Sequence, residues 1–349
     1  MSLEKSVFTE ETIKEYIYEN YHIKTINVCK QNIGSANCYK VISKEGIYLL
    51  KEFQSKYKKS DIEREITVCN YLNQHGISCS DFIQNVYGNY INIFKGKTIH
   101  LQTFVEGKMF QMNCVPDTIL FKEAKLLGQI NKCLKNFPKL PVGFNSSWFN
   151  TWNSSESINR YKKIIYHTEK LDDTNIKAKI IEDCEFKIKL LSNMTLDERY
   201  CKLTQGNSHG DYNNFQLICS DNDIKSVIDF SGAAYVPLVW ELMRSYTYSA
   251  EECRNAKDMD FKKFKKYIDA YLKENKLTLL DVEMMPYFYY FNIVRSTYGY
   301  PQYINSCLEN NPSDIIDFAM WRTEFCRWLY KNKDELSQFL KNQYKGVLL

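Results

Sequence analysis

No apolar run in the 349-residue chain approaches the length of a membrane span. The opening residues Met1-Ser2-Leu3-Glu4-Lys5 do not form the apolar core of a signal peptide. A membrane partner is therefore not expected, and the expected location is cytoplasmic. The twelve cysteines include no Cys-x-x-Cys pair and no cluster at zinc-ligand spacing. That argues against a zinc module and reads as reduced thiols serving as small core residues. The net charge of +4 is small and lysine is scattered, so nucleic acid is not an expected partner. There is no internal repeat and no low-complexity linker, which excludes a solenoid. What remains is ordinary globular composition, 25% charged and 44% hydrophobic. The length suits two domains or one two-lobed unit.

The pattern changes along the chain. Thr9 to Tyr21 has the period of a short amphipathic helix. From Ile26 to Phe53 the pattern is strand-like, with a hairpin turn at Lys44-Glu45-Gly46. Ser60-Asp61 is expected to cap a helix reaching Gln74, with Ile62, Ile66, Cys69 and Leu72 on one face. His75-Gly76 ends it. Strands follow near 81–86, 90–93 and 99–105, and Glu106-Gly107 breaks the pattern. The remainder is mostly helical. Asp117 to Leu134 is one helix, 158–192 two charged ones, and long helical patterns run from Val239 onward. The Trp148 and Trp152 segment reads as a loop or lid. A hairpin over 217–228 turns at Ser220-Asp221-Asn222-Asp223.

The chemistry concentrates in His209-Gly210-Asp211-Tyr212-Asn213-Asn214-Phe215-Gln216 and in Val227-Ile228-Asp229-Phe230. Phosphoryl transfer from a nucleotide needs such a set. One carboxylate orients and deprotonates an acceptor hydroxyl, while an amide and a second carboxylate hold the metal that bridges the phosphates. Either motif alone is weak and matches a polar turn. Lys51, at the end of a strand, is placed to reach phosphates, and Glu65 on the next helix is the carboxylate to hold it. The competing reading makes both ordinary exposed charges. Gly34-Ser35-Ala36-Asn37 is a turn whose backbone N–H groups suit phosphate.

With these residues in place, the sequence resembles the aminoglycoside phosphotransferase and choline kinase group, the small-molecule branch of the protein-kinase-like fold. The likeness runs from about Ile26 to about Arg295. It includes Gln102-Thr103-Phe104-Val105-Glu106-Gly107, Leu127-Gly128-Gln129-Ile130 and Pro237-Leu238-Val239-Trp240-Glu241-Leu242. It implies an α+β bilobal fold, with a nucleotide-binding lobe over residues 1–105 and a helical lobe with catalytic loop and acceptor site over 106–349. It implies an ATP- or GTP-dependent transfer to a small-molecule hydroxyl acceptor, with Mg2+. Asp211 is then the base, and Gln216 and Asp229 the metal ligands. Gly34, Ser35, Lys51 and Glu65 serve the phosphates, while Thr103 and Val105 face the base of the nucleotide. His209 braces the loop. The chain departs from the family in carrying Gln216 where most relatives have Asn, Asn131 where a His is common, and Glu241 where an Asp is common.

Other features carry less. His22, His75, His100 and His167 lack partners at metal or triad spacing. The aromatic run Pro286 to Arg295 reads as helix core ahead of an acceptor-site wall, and Lys162 to Lys189 as solvated helix faces. Glu251, Glu252, Asp258 and Asp260 are interleaved with Arg254, Lys257, Lys262, Lys263, Lys265 and Lys266, which does not resemble a trap for a polycation. An amino alcohol, a homoserine-like amino acid or a sugar fits at least as well as an aminoglycoside. The other class is a non-catalytic binding or spore-coat-type protein of the same fold.

Overall fold

The computed structural model describes residues 4–31, 36–55, 57–143 and 154–348. Gly34, Ser35 and the lid segment around Trp148 and Trp152 lie outside the described residues.

The chain opens with helix α1 (Glu10–Tyr21), capped by Thr9. Strands β1 (Thr25–Gln31), β2 (Asn37–Ser43) and β3 (Ile47–Glu52) follow, then helix α2 (Lys59–Gln74) and strands β4 (Phe82–Ile83), β5 (Ile91–Phe94) and β6 (Lys97–Thr103). They form one antiparallel sheet in the order β1-β2-β3-β6-β4, with β5 also paired to β6. Alternation along each strand sorts its residues between the two faces. Leu50, Ile99 and Leu101 join Ile13, Tyr16 and Ile17 of α1 in one core cluster. The neighbours Leu49, Lys51 and Gln102 therefore point to the opposite face, where a cavity opens. Lys51 is directed to the cleft by this period.

Helix α2 begins one residue before Ser60. Its N-cap is Lys58, without a side-chain capping bond. Asp61, expected in the cap, instead pairs with Arg64 at 3.1 Å inside the first turn. The reason is that Arg64 also donates to the Ser231 carbonyl at 2.7 Å, so the first turn is tied to the loop carrying Asp229 rather than to its own amides.

The rest is a helical mass built on α3 (Asp117–Cys133), α4 (Ser154–Thr168), α5 (Thr174–Ser192), α6 (Leu238–Ser249), α7 (Phe261–Leu272), α8 (Leu279–Arg295), α9 (Tyr300–Leu308) and α10 (Ile315–Tyr344). Between α5 and α6 lie two small antiparallel pairs. Strand β7 (Gln205–Ser208) pairs with β10 (Ala234–Pro237), and β8 (Leu217–Cys219) pairs with β9 (Ile224–Val227). The β8–β9 hairpin is fastened to the connector after β6, because Lys108 and Cys219 exchange backbone hydrogen bonds of 2.9 and 2.8 Å. Gly107 allows the approach, since a Cβ there would lie 2.5 Å from Ile218 and 2.7 Å from the Cys219 carbonyl.

The expectation of solvated faces along 162–189 holds for most of its charges, with Lys162, Lys163, Glu169, Lys170 and Lys189 exposed, but not for two of them. Asp183 and Lys187 are 0% and 1% exposed. Asp183 is satisfied by Tyr300 at 2.8 Å and Arg327 at 3.0 Å, and Lys187 donates to the Ile293 carbonyl at 3.3 Å. Helix α5 is thus wedged between other helices, with polar partners on both sides.

Candidate active site

Asp211 lies in the loop after β7. Gly210 adopts φ +81°, and a Cβ there would come 1.8 Å from the Gly232 carbonyl. Glycine is therefore required for this loop to press against the one carrying Asp229. The His209 ring contacts the Ile228 carbonyl at 2.9 Å and packs on Phe230 with centroids 4.3 Å apart. It joins the two loops. Asn213 accepts from the Phe215 amide at 2.9 Å and donates to the Asp211 carbonyl at 2.6 Å. Glu241 is fully buried and accepts from the Tyr212 amide at 2.7 Å and from the Ser208 hydroxyl. Asn131 donates to Ser208 Oγ at 2.7 Å and accepts from Tyr271 Oη at 2.9 Å. Glu241 and Asn131, at two of the positions where the chain departs from the family pattern, thus brace this loop.

Across the cleft, Lys51 Nζ stands 3.7 Å from Glu65 and 3.4 Å from Asp229. Burial by itself would lower the Lys51 pKa, but the charges of Asp229 and Glu65 outweigh it and keep the ammonium protonated. Burial pushes Glu65 up to about 7 against the pull of Lys51. The Lys51 charge holds Asp229 below the usual carboxylate range, helped by a 2.9 Å bond from Ser231. Asp229 sits at φ 63°, in the left-handed region, at the head of a short turn. That strained backbone aims its carboxylate at Lys51.

Two cavities flank these groups. One, of about 520 Å³, is lined by Lys51, Glu65, Thr103, Val105, Gln216 and Asp229, with Leu49, Phe104 and Ile228 among its apolar walls. The other, of about 1180 Å³, is lined by Asp211, Trp240, Arg244, Tyr248, Tyr289 and Trp321 among others. Phe215 and Gln216 line both. Gln216 donates to Asp211 Oδ2 at 3.3 Å. With its nitrogen engaged there, its carbonyl oxygen is the atom that could serve a metal.

The structure adds residues that the motifs do not include. Arg244 pairs with Asp211 Oδ1 at 2.5 Å and donates to the Tyr212 carbonyl at 3.2 Å. Its guanidinium lies 4.6 Å from the Tyr248 centroid. It stands three residues after Glu241 on α6, one helical turn along the same face, which is the signal that could have found it. In the aromatic run on α8, Phe288, Tyr289, Tyr290 and Phe291 all belong to the core, and of the run only Tyr289 and Asn292 line the larger cavity. Of the acids near 251–260, Glu252 is engaged with Lys263 and Asp260 caps α7. The acids at the large cavity, besides Asp211, are Asp314 and Asp317.

Comparison with known proteins adds to this geometry. The chain resembles an amicoumacin kinase in complex with AMP-PNP and Ca2+, at a TM-score of 0.62 and 13% identity, covering 96% of this chain and 97% of that one. It also resembles spectinomycin phosphotransferase in complex with ADP and spectinomycin, at 0.62 and 15%, covering 97% and 100%. A microcompartment-associated aminopropanol kinase matches at 0.55 and 12%, covering 94% and 99%. At such identities the likeness shows the fold. No curated protein sequence matches the chain significantly. The sequence model of the phosphotransferase enzyme family (APH) matches residues 31–262, more than half of the chain. The chain belongs to that family of small-molecule kinases, and its α+β architecture is kinase-like.

Proposed function

We propose that the chain transfers the γ-phosphoryl group of ATP or GTP to a hydroxyl of a small molecule. The observation that carries this is the wall common to the two cavities. Asp211 stands on the side of the large one, Lys51 and Asp229 on the side of the small one, and Phe215 and Gln216 border both. A nucleotide in the small cavity and an acceptor in the large one meet there. The AMP-PNP and ADP bound by the two drug-kinase relatives support a nucleotide.

The geometry supports the following roles. Lys51, fixed by Glu65 and Asp229, binds phosphate oxygens, and the backbone of Thr103 to Val105 faces the base of the nucleotide. Gly34 and Ser35 are proposed at the phosphates from sequence alone. Asp211 takes the proton of the acceptor hydroxyl as its oxygen bonds to the γ-phosphorus and the bond from that phosphorus to the β–γ bridging oxygen breaks, releasing the nucleoside diphosphate. Arg244 and Gln216 hold the Asp211 carboxylate in position. The Asp229 carboxylate and the Gln216 carbonyl oxygen are hard oxygen donors lining the small cavity and would hold a Mg2+. When bound, that ion neutralises charge on the phosphates.

Coupled assays of nucleoside diphosphate release over an acceptor panel test the reaction. Calorimetry tests the roles. Asp211→Ala is expected to abolish turnover while Mg-ATP binding survives, and Asp229→Ala to weaken that binding itself. Equal loss of nucleotide affinity in both variants would overturn the separation of roles.

A further inference from the structure

We propose that the acceptor carries an anionic group, a carboxylate or a phosphate, that docks on Arg322 against the aromatic wall of the large cavity while its hydroxyl reaches Asp211. This rests on the large cavity being the acceptor site.

The argument is one of charge and partners. Three arginines line the cavity, Arg244, Arg254 and Arg322. Arg244 is neutralised by Asp211. Arg254 pairs with Glu251 at 3.6 Å and donates to the Asn113 carbonyl at 3.1 Å. Arg322 forms no ion pair among the described residues, and its buried Nε has no hydrogen-bond partner there. Behind it sits a second cation. Lys187 donates to the carbonyls of Ile293 at 3.3 Å and of Ser296 at 3.4 Å, and Ser296 lines the cavity. Burial lowers the Lys187 pKa to about 8, and the charge of Arg322 contributes to the fall. Asp183, one turn earlier on α5, is already bound by Lys179 at 3.2 Å and Arg327 at 3.0 Å. Arg322 and the buried Lys187 behind it are therefore two neighbouring cations that pair with no carboxylate among the described residues.

The wall beside Arg322 is aromatic. Its guanidinium lies 5.7 Å from the Phe318 centroid, and Phe318 stacks on Trp321 at 6.1 Å with planes 17° apart. Tyr248 meets Phe318 edge-on at 5.5 Å and Trp321 at 5.6 Å. A planar guanidinium on an aromatic surface binds a carboxylate or phosphate through two parallel hydrogen bonds. The opposing acids are Asp314 and Asp317, both exposed at the start of α10, where the helix dipole accounts for them. A polycation would have to sit beside Arg322 with Lys187 behind it.

Calorimetry with defined probes tests this. 3-Phenyllactate offers a hydroxyl, an aromatic ring and a carboxylate. 3-Phenyllactamide is its neutral counterpart, phenyl phosphate presents the other anion, and kanamycin is a polycation. Phenyllactate or phenyl phosphate is expected to bind the full chain, and the tighter of the two identifies the anion. Arg322→Met should weaken that binding about tenfold to a hundredfold, Arg322→Lys much less, and neither should change phenyllactamide binding. The proposal is overturned if neither anion binds at millimolar concentration. It is equally overturned if phenyllactamide or kanamycin binds at least as tightly as the anions, or if Arg322→Met leaves anion binding unchanged. Mg-ATP affinity, measured on the same samples, separates the two failures. Intact nucleotide binding without anion binding sinks only the acceptor assignment, and absent nucleotide binding sinks the phosphotransferase reading.

Discussion

At the scale of single residues, the site depends on carboxylates whose surroundings differ. Glu123 on α3 is fully buried, and burial pushes its pKa up to about 8 against hydrogen bonds from Ser249, at 2.9 Å, and from Tyr267. The folded chain holds it neutral where the unfolded chain would ionise it near 4.5. Its contribution to stability is therefore full below about pH 4.5 and is lost as pH rises through about 8. Glu123→Gln should remove that dependence, so that the variant gains on the native protein by on the order of a few kcal/mol between pH 5 and pH 9. Urea unfolding at several pH values measures it, and parallel curves for the two proteins would contradict the assignment. Gln216 poses a different question. If its carbonyl holds a metal, Gln216→Asn keeps the donor and shortens the reach. Magnesium tolerates distorted octahedra poorly, so the ratio of activity with magnesium to activity with manganese should change before turnover is lost. A variant that alters neither ratio nor rate would place Gln216 outside the metal shell.

Elements bring these residues together through close backbone approaches. The Asp211 loop and the Asp229 loop meet at Gly210 and Gly232. Gly210→Ala imposes a left-handed φ on a non-glycine residue and drives a methyl into a carbonyl. Strain of this kind costs about 1–3 kcal/mol, before any displacement of the loop. Gly88 is a matched control, at φ +78° with nothing within 4 Å of where a Cβ would stand. Gly88→Ala should lower stability by about 1 kcal/mol and leave turnover intact, whereas Gly210→Ala should lose both. Denaturant titration and a turnover assay on the pair separate strain from collision. Equal effects would show that the close approach is unimportant. On α2, the unexpected cap at Lys58 has the same kind of cause. Asp61 pairs with Arg64, which donates to the Ser231 carbonyl, so the helix start serves the contact between the two parts of the molecule.

For the whole molecule, the cleft is closed by groups contributed from both parts. Lys51 comes from the sheet, and Asp229 from a loop 178 positions away. A ligand that engages both must stabilise the folded chain. At a concentration of one hundred times its dissociation constant, Mg-ATP should add about 2.7 kcal/mol, or roughly 5 °C in melting temperature. The shift should persist in Asp211→Ala and shrink in Asp229→Ala. A thermal-shift series tests this, and a native protein indifferent to Mg-ATP and Mg-GTP alike would favour a non-catalytic relative of the family.

The sequence by itself determined the element order up to the helix at Asp117 and the hairpin over 217–228, because two- and 3.6-residue periods are local and the turns are marked by their own residues, whereas the short β7–β10 pair was not legible in it. It also named Lys51, Glu65, Asp211, Gln216 and Asp229 as a set, since the spacing of the motifs is written along the chain. Their convergence on one cleft, and the wall that Gln216 and Phe215 lend to both cavities, are products of the fold. Tertiary structure alone decided the rest. Arg322 is one of many exposed-type residues on a 30-residue helix, and Lys187 is one of many lysines in a charged stretch. Nothing local distinguishes a surface cation from one that packing leaves at, or behind, the wall of a cavity. That distinction depends on which helices close over it and on which carboxylates they bring, and both are set by contacts between residues far apart in the chain.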